Sequence, residues 1–341
     1  MPRDSSDRSL RLARWRDFGI FVVLGLLVLF FGATTRDHAF LASENLVNVL
    51  RQSAILAVAA IGMTLVVLTG GIDLSVGSVL SLSGMVAALL CRSIAAQGSP
   101  LADAARNSGS TALFVVALVL ALGFAWGVGT AALITRLRIP PLIATLGTMS
   151  IGRGAVQWLT GGESVRNEFG GATWTWLTWL GGGSWLRVPG PVIVAGIVVL
   201  LGAFLLHRTV FGTWLFGIGC NEEACRLAGV NVRRIKSLTY GLAGVVFALA
   251  GVMGLGRQGY ALPAAATGFE LDVVTAVVLG GVSITGGEGH VLGVVAGVLI
   301  LGALDNGLTM LSLQFYEILV IKGAVLLAAV ALDRLLRRSA E

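Results

Sequence analysis

The sequence predicts an all-α integral membrane protein, a single bundle of about ten helices. Three observations carry that prediction. Apolar residues make up 56% of the 341 and charged residues only 12%, about half the charged share of an ordinary soluble domain. The apolar residues fall in long runs, and a bilayer core about 30 Å thick needs about 20 of them per helical crossing. The basic residues flank those runs on one side, with Arg3, Arg8, Arg11, Arg14 and Arg16 before the first run and Arg334, Arg337 and Arg338 after the last. Lysine and arginine adopt that distribution when they stay in the cytoplasm during insertion. The net charge of +6 therefore reads as topology, and no basic patch interleaved with aromatics points to nucleic acid.

Hydropathy and breaker residues place the spans at 18–33, 53–69, 74–95, 111–135, 142–160, 192–207, 237–256, 271–282, 291–311 and 317–333. Residues 18–333 then form one membrane domain, between a basic cytoplasmic segment 1–17 and a cytoplasmic tail 334–341. Starting inside, the cytoplasmic segments are 1–17, 70–73, 136–141, 208–236, 283–290 and 334–341, and they hold 15 of the 24 lysines and arginines. Seven (Arg36, Arg51, Arg92, Arg106, Arg166, Arg187 and Arg257) fall outside. That bias supports the orientation. The run at 18–33 resembles the apolar part of a signal sequence, but no A-x-A cleavage site follows, so it is expected to remain as the first span. Span 271–282 is too short for an ordinary crossing and is expected to be tilted, partly unwound or joined to its neighbours. Cys91, Cys220 and Cys225 form no CxxC and support neither a disulfide framework nor a metal site.

The run "LVVLTGGIDLSVGSVL" (65–80) stops at Gly70, Gly71 and Asp73 and then resumes. Inside lipid every backbone N–H and C=O needs a partner, so such a break is tolerable only where protein or water surrounds it. Asp73 suits the free N–H groups and positive end of the next helix. It is therefore either a structural cap or a group in a transport path. "VVLTGG" (66–71) is echoed by "VVLGG" (277–281), and "GSVL" (77–80) by "GHVL" (289–292). Transporters are often built from repeats whose broken helices approach the path. The G-x-x-x-G patterns Gly123–Gly127 and Gly293–Gly297 read as close helix packing.

The longest cytoplasmic connection, 208–236, contains "GCNEEACRLAGVNVRRIK". Asn221 is expected to cap a two-turn helix, with Glu222 and Glu223 in its first turn and Gly229 at its end. Ala224, Leu227 and Ala228 make one apolar side, beside Arg226, Arg233, Arg234 and Lys236. Such a face either docks into a partner's groove or hugs the headgroups.

These residues resemble the permease subunits of ribose-type sugar importers of the ATP-binding-cassette class. The resemblance extends over "GMTLVVLTGGIDLSVGS" (62–78), "PPLIATLGTMSIGRG" (140–154), "LTGG" (159–162), "GFELDVVTAVVLGGVSITGGEG" (268–289) and "LGALDNGLTML" (301–311), most of the chain from about residue 40. It implies a fold similar to type II importer permeases, in the bacterial inner membrane. It also implies that the short helix is a coupling helix seated on a separate ATPase subunit, with Asn221, Glu222, Glu223, Ala224, Arg226, Leu227, Ala228 and Gly229 as contacts. Cys225 stands where the family commonly has alanine and Cys220 where it has glycine, which puts a glycine-dependent bend at 220 in doubt. A second permease subunit, copy or paralogue, and a periplasmic sugar-binding protein are the other implied partners, besides membrane lipid.

No G-x-x-x-x-G-K-[ST] occurs, so the chain lacks the loop that cradles nucleotide phosphates. ATP is expected to be used by the partner, and no cofactor is expected on this chain. His38, His207 and His290 are scattered, and no catalytic constellation accompanies them. The fifth span is the candidate for a solute path. At 100° per residue Thr145, Thr148, Arg153 and Gln157 share about half its circumference, a face that suits either a polyhydroxylated solute or helix packing. Arg153 is expected to avoid lipid, Asn306 is a further polar candidate, and Lys322 is expected to snorkel or pair internally. The outward segments 257–272 and 161–191 carry Arg257, Glu270, Asp272, Glu163, Arg166 and Glu168, read as solvated loops and, by the resemblance, as the docking side for a binding protein. The tryptophans of "WTWLTWLGGGSW" (174–185) read as an interfacial belt. Rival readings are a permease for a nucleoside, amino acid or furanose signal, an ion-coupled secondary transporter, and a non-transporting scaffold or receptor.

Overall fold

The computed structural model describes residues 4–95, 108–166, 172–186 and 188–338. Arg3, Arg106, Glu168, Arg187 and residues 339–341 lie outside the described residues. In chain order the helices are α1 (Asp4–Thr34), α2 (Ser43–Leu68), α3 (Val76–Ala95), α4 (Gly109–Thr135), α5 (Pro141–Thr160), α6 (Ala172–Gly182) and α7 (Gly190–Arg208). They continue with α8 (Val210–Cys220), α9 (Glu222–Leu227), α10 (Val232–Gln258), α11 (Phe269–Leu279), α12 (Val291–Met310) and α13 (Phe315–Arg338). Two small antiparallel pairs complete the fold: β1 (Val165–Arg166) with β4 (Tyr260–Ala261), and β2 (Ser184–Trp185) with β3 (Val188–Pro189).

Every expected span coincides with a helix, but among the described residues 6, namely α2, α3, α4, α7, α10 and α12, are long and apolar enough to cross by length and composition. The apolar part of α1, Gly19–Thr34, is shorter than this standard. Polar and ionic groups interrupt α5 and α13, whereas α11 has 11 residues, a length of about 16 Å and so about half a bilayer core. One apolar helix was not foreseen. The segment 208–236, expected to be cytoplasmic connection apart from its short helix, opens with α8, whose Gly212, Leu215 and Ile218 are buried against the bundle.

The centre of the bundle is α10, which packs on α2, α3, α4 and α6, while α12 joins α2 to α11. Both G-x-x-x-G patterns lie where backbones touch. A Cβ on Gly123 would overlap the carbonyl of Gly244, and one on Gly127 the carbonyl of Tyr240, so α4 and α10 can approach only through bare glycines. On α12, Gly293 and Gly297 meet the carbonyls of Gly280 and Ala276 on α11 in the same way. Close approach of this kind supplies dispersion and weak polar contacts where lipid offers no hydrophobic pull between helices.

The two echoing sequence words form the same helix end. Gly70 (φ +76°) and Gly281 (φ +83°) take the left-handed conformation. The N–H of Gly70 donates to Val67 O and that of Gly71 to Val66 O; Gly281 donates to Val278 O and Val282 to Val277 O. Both ends are Schellman caps, which satisfy carbonyls that a terminating helix leaves free.

Contacts between loops join segments that the charge count groups on one side. On one side the break after α2 meets the segment after α11, through the N–H of Gly287 donating to Leu68 O at 3.0 Å. On the other, β1 pairs with β4, and the Thr173 hydroxyl donates to Ser108 O at 3.1 Å. Segments assigned to one side thus touch segments of that side.

The glycine packing is testable by one methyl group. Gly127→Ala is expected to lower the thermal unfolding midpoint of the detergent-solubilised chain, at a cost of about 1–3 kcal/mol from overpacking. Gly129→Ala, two residues on, points into open space and should leave the midpoint unchanged or raise it.

Candidate functional site

The end of the bundle that carries α9 is organised around a junction of three chain segments. Gly219, at the end of α8, is wedged between the carbonyl of Leu68 and the Gly286–Gly287 backbone, where any Cβ would overlap both. Gly286 (φ +89°) and Gly287 (φ +77°) are left-handed, which suits glycine because it lacks a Cβ. The broken end of α2, the segment after α11 and the end of α8 therefore meet without intervening side chains. Cys220 adjoins them, its thiol 3.8 Å from Gly287 O. Its backbone is not left-handed, so this position does not require glycine.

Immediately beyond the junction lies α9. The Asn221 side chain accepts from Ala224 N at 2.9 Å, satisfying a free donor of the first turn. Gly229 (φ +85°) closes the helix, its N–H donating to Arg226 O and that of Val230 to Cys225 O. Leu227 is 81% exposed, and Ala224 and Ala228 beside it are exposed too. An apolar face thus projects from the bundle, and none of the described residues covers it. The acids have partners within the chain: Lys236 Nζ donates to Glu222 Oε2 at 2.6 Å, bracing α9 on α10, and Arg226 donates to Glu223. The hydrogen bond to Glu223 raises the Arg226 pKa above its already high ordinary value, so the guanidinium stays charged. The histidines that look scattered in sequence are partly gathered, because His207 and His290 stack with ring centroids 5.7 Å apart beside Phe216.

Asp73 sits at the other end of the α2 break. It is 2% exposed, and its Oδ1 accepts from Ser75 N at 2.9 Å and Ser75 Oγ at 2.6 Å. Both bonds are to Ser75, the residue before α3, so Asp73 closes an Asx turn at the break and caps no N–H of the helix itself. The Thr145 hydroxyl reaches from α5 to Ile72 O at 3.2 Å, tying α5 to the same break.

The polar face expected on α5 is divided in the structure. Thr145 and Thr148 are buried against α3 and α4, the neighbours of α5, and Thr148 donates to Thr145 O within its own helix. Gln157 is exposed. Arg153 Nη2 donates to Glu270 Oε1 at 2.7 Å. Asn306 on α12 exchanges two hydrogen bonds with Asn45 at the start of α2, at 2.9 and 3.0 Å. Thr145, Thr148 and Asn306 therefore lie in helix packing and not on an open wall, because each hydroxyl or amide finds a protein partner before it finds water.

The outward acids correct a second expectation. Glu270 and Asp272 do not belong to a solvated loop but to the first turn of α11. Glu270 is 8% exposed. Lys322 of α13 donates to Asp272 Oδ2 at 2.8 Å and Asp305 Oδ2 at 3.0 Å. The half-length helix is thus gripped at its outer end by cations from two neighbours, and at its inner end by glycine contacts with α12. A cavity of about 250 Å³ opens beside it, lined by Gln52, Arg257, Gln258, Tyr260 and Phe269 among others.

The family model described as "Branched-chain amino acid transport system / permease component" matches residues 45–330. The chain belongs to this permease family. Among curated relatives, the ribose import permease protein of Escherichia coli (strain K12) is 41% identical over 311 residues, covering 91% of this chain and 92% of that one. Its counterpart from Bacillus subtilis (strain 168) is 40% identical, with 91% of each chain covered. The D-allose transport system permease protein of Escherichia coli (strain K12) is 33% identical over 95% of this permease and 93% of its own length. No solved structure matches the chain significantly.

The ion pair at the outer end of α11 generates a prediction. In a double-mutant cycle with Arg153→Gln and Glu270→Gln, the two losses of unfolding free energy should be non-additive by about 1.5 kcal/mol, as for a hydrogen bond between charged groups. Strict additivity in detergent denaturation would show that the two side chains do not interact.

Proposed function

We propose that the chain is the membrane-spanning subunit of an ATP-binding-cassette importer for a monosaccharide. The observation that carries this reading is that relatives named for ribose, allose and xylose transport cover 91%, 95% and 94% of the chain. On this reading the protein is an inner-membrane permease of ten crossings, in which α11 and the segment after it together make one. A second permease subunit completes the path, a periplasmic binding protein delivers the sugar outside, and separate ATPase subunits supply the energy. The chain itself binds no cofactor.

The geometry gives the mechanism a route. The uncovered Ala224, Leu227 and Ala228 face of α9 is the surface an ATPase cleft would take. Force applied there passes through Asn221 and Cys220 into Gly219, which touches the ends of two broken elements at once. Because that contact is backbone on backbone, no side chain can yield and absorb a displacement, and movement of α9 is transmitted to α2 and to the α11–α12 segment. Alternating access then follows from the ATPases closing inside while a loaded binding protein sits outside. For the path we assign the exposed strip of α5 that carries Ser150, Gly154 and Gln157, with Arg153 at its edge.

An ion-coupled mechanism would use free intramembrane carboxylates. Glu270, Asp272 and Asp305 are instead held by Arg153 and Lys322. The family description names an amino-acid system, which keeps an amino acid as the second solute class.

Reconstitution with an ATPase and a binding protein should give sugar uptake that requires ATP. Leu227→Arg is expected to abolish ATPase association and reduce uptake at least tenfold while the permease still folds, as an exposed position allows. Full uptake by Leu227→Arg, or uptake driven by an ion gradient with no ATPase present, would refute the assignment.

A further inference from the structure

A second feature adjoins α9 and shares Ala228 with its apolar surface. Between α8 and the first turns of α10 runs a groove of about 630 Å³, lined by Phe211, Trp214, Val230, Arg234, Ile235 and Leu238 among others. Its walls are apolar and open: Trp214 is 38% and Leu238 37% exposed, and Val210 at the start of α8 is 64% exposed. Such surface is stable where acyl chains cover it, and tryptophan favours the membrane–water boundary. Arg234 stands at the head of the groove and is exposed. Among the described residues it has no acidic partner, since Glu222 and Glu223 are taken by Lys236 and Arg226. Arg233 and Arg208 are likewise without an acidic partner there, and the positive end of the α10 dipole adds to the field.

We infer that this groove binds an anionic phospholipid of the inner leaflet. Its phosphate is held by Arg234, and one acyl chain lies along Phe211, Trp214, Ile235 and Leu238. The pairing follows from the gradient along the groove, apolar along most of its length and cationic at one end. A basic pocket between helices on the cytoplasmic side matches an anionic headgroup, whereas a zwitterionic lipid brings its own cation and gains little from Arg234. The groove also includes Ala228 and Gly229, the chain leaving α9. Occupancy therefore braces the segment that carries force into the membrane, and anionic lipid should support coupling.

The test uses the full-length chain in nanodiscs of phosphatidylcholine containing brominated phosphatidylglycerol or, at equal mole fraction, brominated phosphatidylcholine. Quenching assigned to Trp214 by difference from Trp214→Phe should report about fivefold enrichment of the anionic lipid, the factor expected of one basic contact. Arg234→Gln should remove that preference while leaving total quenching by phosphatidylcholine unchanged, which shows that the groove is still formed. Native mass spectrometry of the chain without its ATPase should show phosphatidylglycerol retained by the parent and lost from Arg234→Gln. Equal quenching by the two lipids, a preference that survives Arg234→Gln, or lipid retention that appears only with the ATPase bound would overturn the proposal. The measurements need no transported solute, so their failure is separate from any failure of the importer assignment.

Discussion

The carbonyl of Leu68 would have no water to turn to at the end of a helix enclosed by protein, and the N–H of Gly287 supplies its partner. That requirement governs the half of the molecule that carries α9. A chain that breaks a helix in or beside a membrane must bring another polar backbone segment to the break. Here the second segment is itself the break that follows α11, so each interruption serves the other. Room for the contact exists only because Gly219, Gly286 and Gly287 lack side chains. The need to satisfy backbone groups thus explains these glycines at the end of α8 and in the segment after α11.

The same logic extends to charge on the outer side. A carboxylate taken out of water is costly unless paired, and the first turn of α11 carries two. Arg153 and Lys322 reach them from α5 and α13, with Asp305 sharing the lysine. These pairs join elements that few apolar contacts hold together, and they fix the outer end of a helix too short to anchor itself across the bilayer. The half-helix is held at one end by ion pairs, which can exchange partners, and at the other by close backbone packing, which cannot.

Local features were legible in the sequence to the level of single hydrogen bonds. The capping roles read from Asn221 and Gly229 correspond to bonds present in the structure, because each depends on residues within about five positions in the chain. The G-x-x-x-G spacing likewise identified packing faces, since the spacing itself places both glycines on one side of a helix. The pairing of Arg153 with Glu270 and of Asn306 with Asn45 was hidden, as was the stacking of His207 on His290. Each joins residues far apart in sequence, and periodicity carries no information about which face meets which. The helix α8 was missed for a different reason: a mostly apolar stretch of 11 residues reads as part of a connection when a crossing of about twenty is the template.

By itself the sequence determined that this is a membrane bundle, where most of its helices lie, and that a short capped helix stands between Asn221 and Gly229. These follow from composition, local capping and the energetics of burying peptide groups in lipid, all of which act over short stretches of chain. Only the tertiary structure decided which polar side chains are spent on holding the bundle together, which are left exposed for a solute or partner, and that α8, the α2 break and the α11 break converge on one point. Those outcomes depend on which helices become neighbours, and that choice is made by the packing of whole surfaces, not by any run of residues read alone.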